Sequence, residues 1–230
     1  NQYLLLKRKG EYNFMINNPQ IQEEPINSKI ENYYNICETQ QQTLVNVKDF
    51  GAIGNGENDD WNAINNAYNT IKNTGGILYF PTGIYAISKP IQINTETDSL
   101  LLHNITIKGV DSTVPYFNSY SENPTKLAMN SNIIPTTNFS GDCLIKIGNV
   151  NNSLIVNIAL IGAKTNQEVR TIDGIIYSSN SLQTNNSIRY CCLFRLKNGI
   201  NAYNSPIFKC EYTNVQYCKN VGIIVRGDSR

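Results

Sequence analysis

The 230-residue sequence is poor in the side chains that most chemistry at a site draws on: it has one His, one Trp and two Met, and only 16% of it is charged. Lys and Arg number 19 against 18 Asp and Glu, a formal charge of +1. Binding a phosphate backbone normally shows as a clear basic excess, so nucleic acid is excluded as a partner. Apolar runs such as Leu4 to Leu6 and Leu100 to Leu102 fall far short of the roughly 20 residues that a membrane-crossing helix needs, and no span is expected. There is no initiating Met and no basic-then-apolar leader, as expected of a mature chain or a piece of a longer one. The cysteines, Cys37, Cys143, Cys191, Cys192, Cys210 and Cys218, lack zinc-site spacing and have a single His to join them. Most of them lie from residue 191 onward in apolar stretches, which reads as small buried hydrophobes. The glycosylation sequons at Asn104, Asn138, Asn151 and Asn185 carry no argument, since a chain this rich in Asn, Ser and Thr produces about that many by chance.

What the sequence does have is 35 Asn and 30 Ile. A disordered chain would be charged and poor in β-branched residues, the reverse of this one. Ile favours strands, and Asn favours turns because it tolerates left-handed backbone and bonds its own main chain. Many short strands joined by tight turns are therefore expected, with AT-rich coding as a second source of the same bias. At this length one domain with ample chain for a core is the natural reading.

Residues 1–27 contain Asn18-Pro19 and Glu24-Pro25, which break regular structure, and read as an extended arm. From Ser28, Ile30, Tyr33, Tyr34 and Cys37 recur at helical spacing behind a Ser28/Glu31 capping box, predicting a short helix over 29–42. Too short and polar to stand alone, it must dock on the body or on copies of itself. Residues 1–43 are thus set apart as an arm and neck, and 44–230 as the main domain.

Within the main domain, an amphipathic helix is predicted over about 60–73, with Asp59 or Asp60 as N-cap, Ile64, Ala67, Tyr68 and Ile71 on one face, and Gly75-Gly76 as the stop. The paired acids are read first as caps stabilised by the helix dipole. Short strands follow at about 77–80, 84–88, 91–93 and 100–108, then an aperiodic stretch over 111–140 that reads as a long loop. Beyond it a period emerges. Asp173-Gly174-Ile175, Asn198-Gly199-Ile200 and Val221-Gly222-Ile223 each place Gly before Ile, and Leu196-Lys197-Asn198 aligns with Cys218-Lys219-Asn220. Repeats of this length holding two or three short strands are the signature of a solenoid, whose coils bury their inward faces only by stacking. Ile, Val, Leu and Cys would then fill the bore, and Asn198 and Asn220 would belong to a ladder of side-chain amides. A β-sandwich is the alternative.

NVKDFGAIGNGENDD at 46–60, followed by the helix and by GG and LYFPTGIYAIS up to Ser88, resembles the N-terminal signature of the pectate-lyase-like superfamily of right-handed parallel β-helices, usually DFGAxGDGxxDD and then GGxxxFPxGxY. HNITIKG at His103 to Gly109 and NNSLIVNIALIG at Asn151 to Gly162 are similar to its coil strands. The resemblance spans about 44–230. It implies an all-β, right-handed parallel β-helix with an N-terminal capping helix over its open end. Two positions depart from the pattern: Asn55 stands for the usual Asp and Trp61 for the usual Thr. Asn55 keeps the turn-forming carbonyl but carries no charge.

Superfamily members include polygalacturonase-like enzymes and many bacteriophage tailspikes. Hydrolysis requires two carboxylates across the scissile bond, and lyase chemistry a base together with a cation, often calcium. The polygalacturonase motifs are not found in the coils, His103 reads as structural, and the coil carboxylates Asp142, Glu168, Asp173, Glu211 and Asp228 read as ordinary side chains. No catalytic residue is assigned. Any lyase or glycoside hydrolase site is expected beyond residue 230, because the chain ends in mid-repeat. No cofactor or metal is expected, calcium entering only with lyase chemistry. Tyr177, Tyr190, Tyr203, Tyr212 and Tyr217 fall in the coils and are candidates for stacking on sugar rings. The resemblance implies a tailspike-like protein on a virion, extracellular, which binds and in some members cleaves bacterial surface polysaccharide. It would form a homotrimer through residues 1–43 and join other virion tail proteins. A secreted bacterial polysaccharide lyase or glycosidase and a non-enzymatic adhesin or stalk are the alternatives.

Overall fold

A computed structural model describes residues 42–95, 97, 99, 104–111, 129–163, 171–179, 185–203 and 208–226, all within one compact unit, Gln42–Arg230. The arm and helix expected over 1–42 lie outside these residues except for Gln42, as do His103, Glu168, Asp228 and Cys37.

The chain winds through three parallel sheets. Sheet A contains β1 (Leu44–Asn46), β3 (Gly76–Phe80), β6 (Ile105–Gly109), β9 (Ser153–Val156), β12 (Asn186–Arg189) and β15 (Phe208–Glu211). Sheet B contains β2 (Asn55–Asp59), β4 (Gly83–Ile87), β7 (Ser131–Pro135), β10 (Ala159–Ile161), β13 (Cys192–Phe194) and β16 (Asn214–Gln216). Sheet C contains β5 (Ile91–Ile93), β8 (Cys143–Ile147), β11 (Asp173–Tyr177), β14 (Asn198–Tyr203) and β17 (Val221–Arg226). From β3 onward each coil contributes one strand to each sheet, A then B then C, which is a right-handed parallel β-helix and excludes the sandwich. Among the described residues no helix is long and apolar enough to cross a membrane.

Register explains the isoleucine content. On sheet C, Ile91, Ile145, Ile175, Ile200 and Ile223 stack in one column. Sheet A stacks Val45, Leu78, Ile107, Ile155, Ile188 and Cys210, and sheet B stacks Tyr85, Ile133, Leu160, Leu193 and Val215. β-branched side chains pack well on such in-register strands, and the columns form one continuous core up to Ile200, Ile188 and Leu193, with Cys210 and Val215 packed against it. The Gly-Ile repeat is in register as well: Gly174, Gly199 and Gly222 are consecutive rungs. A Cβ on Gly174 would sit 2.5 Å from the Gly199 carbonyl, and one on Gly199 would sit 2.5 Å from that of Gly222.

In the first turn a helix, α1 (Trp61–Ile71), stands in place of a sheet C strand. Its buried face is Ile64, Ala67, Tyr68 and Ile71, as predicted, and it packs on β1, β3 and β5. The paired acids divide their work differently from the capping expectation. Asp60 occupies the cap position but makes no side-chain cap bond; its carboxylate accepts from the Ile53 and Gly54 amides at 2.7 and 3.0 Å. Asp59 does the capping, its Oδ1 accepting from Trp61 N at 3.1 Å and from Ser88 N at 3.0 Å. Asn55 Oδ1 accepts from the amides of Glu57 and Asn58, so the turn survives without the usual Asp. Trp61 Nε1 donates to the Pro90 carbonyl at 2.9 Å, tying the helix start to the next coil.

Two further expectations are corrected. The stretch 111–140 is not all loop, because Ser131–Pro135 forms β7 between β4 and β10. Its strand pattern hides behind the polar Ser131 and Asn132: Ser131 Oγ donates to the Phe80 carbonyl and Asn132 Nδ2 to that of Met129, while Asn132 Oδ1 is buried without a partner among the described residues. The Asn198/Asn220 ladder does not form. Asn198 is in register with Val221, because the turn after β16 is one residue longer than the turn after β13 and shifts Asn220 out of the column. Polar side chains do link coils at another corner, where Asn94 Nδ2 donates to the Asn149 main-chain carbonyl at 2.7 Å and Ser179 Oγ donates to Asn149 Oδ1.

Candidate functional site

The corners between sheets decide which side chains leave the solenoid. After β9, β12 and β15 the chain turns from sheet A to sheet B through one residue with positive φ: Asn157 at 58°, Tyr190 at 50° and Tyr212 at 50°. After β13 and β16 it turns from B to C through Arg195 at 52° and Tyr217 at 54°. Asn is the ordinary occupant of such backbone, and a bulky side chain there is an outlier.

The corner tyrosines face solvent. Tyr190 is 37%, Tyr212 71% and Tyr217 48% exposed. Tyr190 and Tyr212 stack face to face on successive coils, with centroids 4.9 Å apart and planes within 5°. One residue before each, Arg189 Nε and Glu211 Oε2 pair at 2.8 Å across the same two coils. At the other corner Tyr217 meets Phe194 edge-on at 5.2 Å, and the Arg195 guanidinium lies 4.8 Å from the Phe194 ring.

The remaining candidates are placed elsewhere. Tyr177 lies wholly in the bore, edge-on to Phe208 at 5.4 Å, so it contacts no ligand. Tyr203 is exposed at the end of β14 on sheet C, opposite Arg226 and away from both corners.

Four carboxylates of the coils, Asp111, Asp142, Asp173 and Glu211, are each engaged. Asp111 pairs with Lys108 at 3.1 Å and accepts from Asn157 Nδ2 at 2.7 Å. Asp142 faces Lys146 at 3.7 Å and accepts from the Cys143 thiol. Asp173, buried, accepts from Asn198 N, Asn198 Nδ2 and Asn201 Nδ2. Glu211 is held by Arg189. Burial pushes the thiols of Cys191 and Cys192 up to about 12, which keeps them protonated at neutral pH. Among the described residues no cluster of His, Cys, Asp and Glu is placed to hold a metal ion.

Sequence reasoning missed Phe194, Arg195, Asn214 and Gln216. The available signal is the local period: Tyr190 and Tyr212, like Arg195 and Tyr217, fall at equivalent places after paired strands.

A family model described as rhamnogalacturonase A/epimerase, pectate lyase-like, matches residues 44–223. Plasmin and fibronectin-binding protein A of Streptococcus pneumoniae (strain ATCC BAA-255 / R6) is 33% identical over 82 residues, 32% of this chain and 11% of that protein. A probable glucan endo-1,3-beta-glucosidase of Arthroderma benhamiae (strain ATCC MYA-4681 / CBS 112371) is 45% identical over 56 residues, 20% of this chain and 6% of that protein. The match thus spans a small part of either relative. Among solved structures, the A-module of the Azotobacter vinelandii mannuronan C-5 epimerase AlgE4 is 19% identical with a TM-score of 0.49, covering 74% of this chain and 42% of that one.

Proposed function

Since the chain belongs to the rhamnogalacturonase A/epimerase, pectate lyase-like family of parallel β-helices, we propose that it is a polysaccharide-directed protein of the tailspike kind, which holds bacterial surface polysaccharide on the outside of its coils. The observation that carries this reading is the stacked Tyr190–Tyr212 pair, held outward at a corner where the coil before it uses Asn157. Rings presented to solvent suit the C–H faces of sugars. Binding by the described coils is the reading put forward, with Asp111, Asp142, Asp173 and Glu211 each already serving a neighbour. In this reading the protein works outside the cell, on a virion, and residues 1–43 join three chains and connect them to other tail proteins.

The test is incubation of the full chain with galacturonan, rhamnogalacturonan, capsular polysaccharide and O-antigen. Retained polymer, new reducing ends and the absorbance of unsaturated uronates are read together. Retention without cleavage supports the binding reading; reducing ends alone indicate a hydrolase, and unsaturated uronates a lyase. Retention of none of these polymers overturns it. Sedimentation of the chain as a monomer at micromolar concentration overturns the trimer.

A further inference from the structure

Eight residues other than glycine have positive φ among those described, and they divide by position along the solenoid. Asn94, Asn152, Asn157 and Asn185 come first, with φ between 57° and 60°. Tyr190, Arg195, Tyr212 and Tyr217 follow, with φ between 50° and 54°. Asn tolerates this backbone because its short amide bonds locally, whereas a large side chain is strained there and persists where something else holds it. The corner itself accepts the small residue, as Asn157 shows one coil before Tyr190. The change from Asn157 to Tyr190 and Tyr212 at the A-to-B corner points to a use for the large side chains, and Arg195 and Tyr217 stand at the B-to-C corner of the same two coils.

The strand between the corners changes with them. β16 is in register with β13, pairing Cys192 with Asn214, Leu193 with Val215 and Phe194 with Gln216. Leu193 packs in the bore, while Cys192 and Phe194 belong to a buried apolar cluster on the outer face of sheet B with Ala159 and Ile161. Asn214 and Gln216 take the outer positions one coil on, flanking the inward Val215. The outer face therefore turns from apolar to amide where Tyr212 and Tyr217 flank it. A protein partner would favour a continuous apolar centre. Two separated rings with amides between them suit a ligand that presents C–H faces and hydroxyl groups in turn.

From Tyr212 to Tyr217 an extended backbone reaches roughly 16 Å, about three sugar rings end to end. We infer that Tyr212 and Tyr217 bracket an oligosaccharide track that runs along the outer face of β16, across the solenoid axis, with Asn214 and Gln216 bonding the hydroxyls between them. Tyr190 and Phe194 orient the two rings from the preceding coil. The track rests on the polysaccharide reading above and adds to it a place, a direction and a length.

The test uses the full chain and size-fractionated oligosaccharides, from monosaccharide to hexasaccharide, cut from whichever polymer of that panel is retained. Calorimetric affinity should rise with length and level off at the tri- or tetrasaccharide. Tyr212→Ala and Tyr217→Ala should each weaken binding of the longer fragments about tenfold, and together about a hundredfold, as separated contacts add. Tyr203→Ala, on sheet C, should change nothing, and unchanged unfolding midpoints establish that the variants are folded. Affinity that levels off at the monosaccharide, or folded variants that bind within about twofold of wild type, would overturn the track and leave the polysaccharide reading standing. Failure to retain any polymer would overturn both.

Discussion

Asn198 lies one coil beyond Asp173 and donates from Nδ2 to its Oδ1 at 2.8 Å, with both side chains buried. The same carboxylate takes the Asn198 amide and Asn201 Nδ2, so it joins two coils at the start of sheet C. Asp173→Ala strands these donors in a buried place and should cost about 2–3 kcal/mol, read by urea denaturation. Asp173→Asn keeps an acceptor and should cost about 1 kcal/mol. An Ala variant as stable as wild type would remove the structural role.

Asp60 gives the fold a pH dependence. Burial raises its carboxyl above the ordinary range, against the lowering effect of the Ile53 and Gly54 amides that it accepts. The folded state therefore holds the proton more tightly than the unfolded one. This contribution to stability is fully present below the unfolded carboxyl value of about 3.9 and is lost as pH rises through the folded value. Asp60→Asn does not titrate, so the stability of wild type relative to the variant should fall from about pH 4 to pH 7. Urea midpoints across that range check it, and a difference that grows in favour of wild type with rising pH would contradict it.

The glycine column tests the register of sheet C. Alanine at Gly174 would place Cβ 2.5 Å from the Gly199 carbonyl, and alanine at Gly199 would place it 2.5 Å from both the Gly222 carbonyl and Val215 Cγ1. Backbone of a stacked coil cannot move aside without parting the strands. Gly174→Ala and Gly199→Ala should each cost about 3 kcal/mol or prevent folding. Thermal unfolding reads the cost; a loss below about 0.5 kcal/mol at either position would mean that sheet C is not stacked in this register.

The solenoid was legible because its signals are local and repeated. The Gly-Ile repeat gave the register of sheet C, and the spacing of Ile64, Ala67, Tyr68 and Ile71 gave the buried face of α1. The sequence leaves the helix cap to either Asp59 or Asp60 because the two are equivalent in composition, and only the loop returning through Ile53 and Gly54 separates their roles. The Asn198/Asn220 alignment failed on one extra turn residue, which no propensity reveals. Of the five coil tyrosines, Tyr177 and Tyr212 are indistinguishable in sequence; strand parity sends one into the bore, and a left-handed corner sends the other out.

The central claim is that Tyr212 stands at its corner for a ligand and not for the fold, and Tyr212→Asn tests it most directly. Asn157 shows that Asn suits this corner. Relief of the left-handed strain and loss of stacking on Tyr190 are each worth about 1 kcal/mol and oppose one another. The account therefore expects an unfolding free energy within about 0.5 kcal/mol of wild type, and retention of surface polysaccharide weakened about tenfold. A variant that loses stability by about 2 kcal/mol or more while retaining the polysaccharide as wild type does would contradict it.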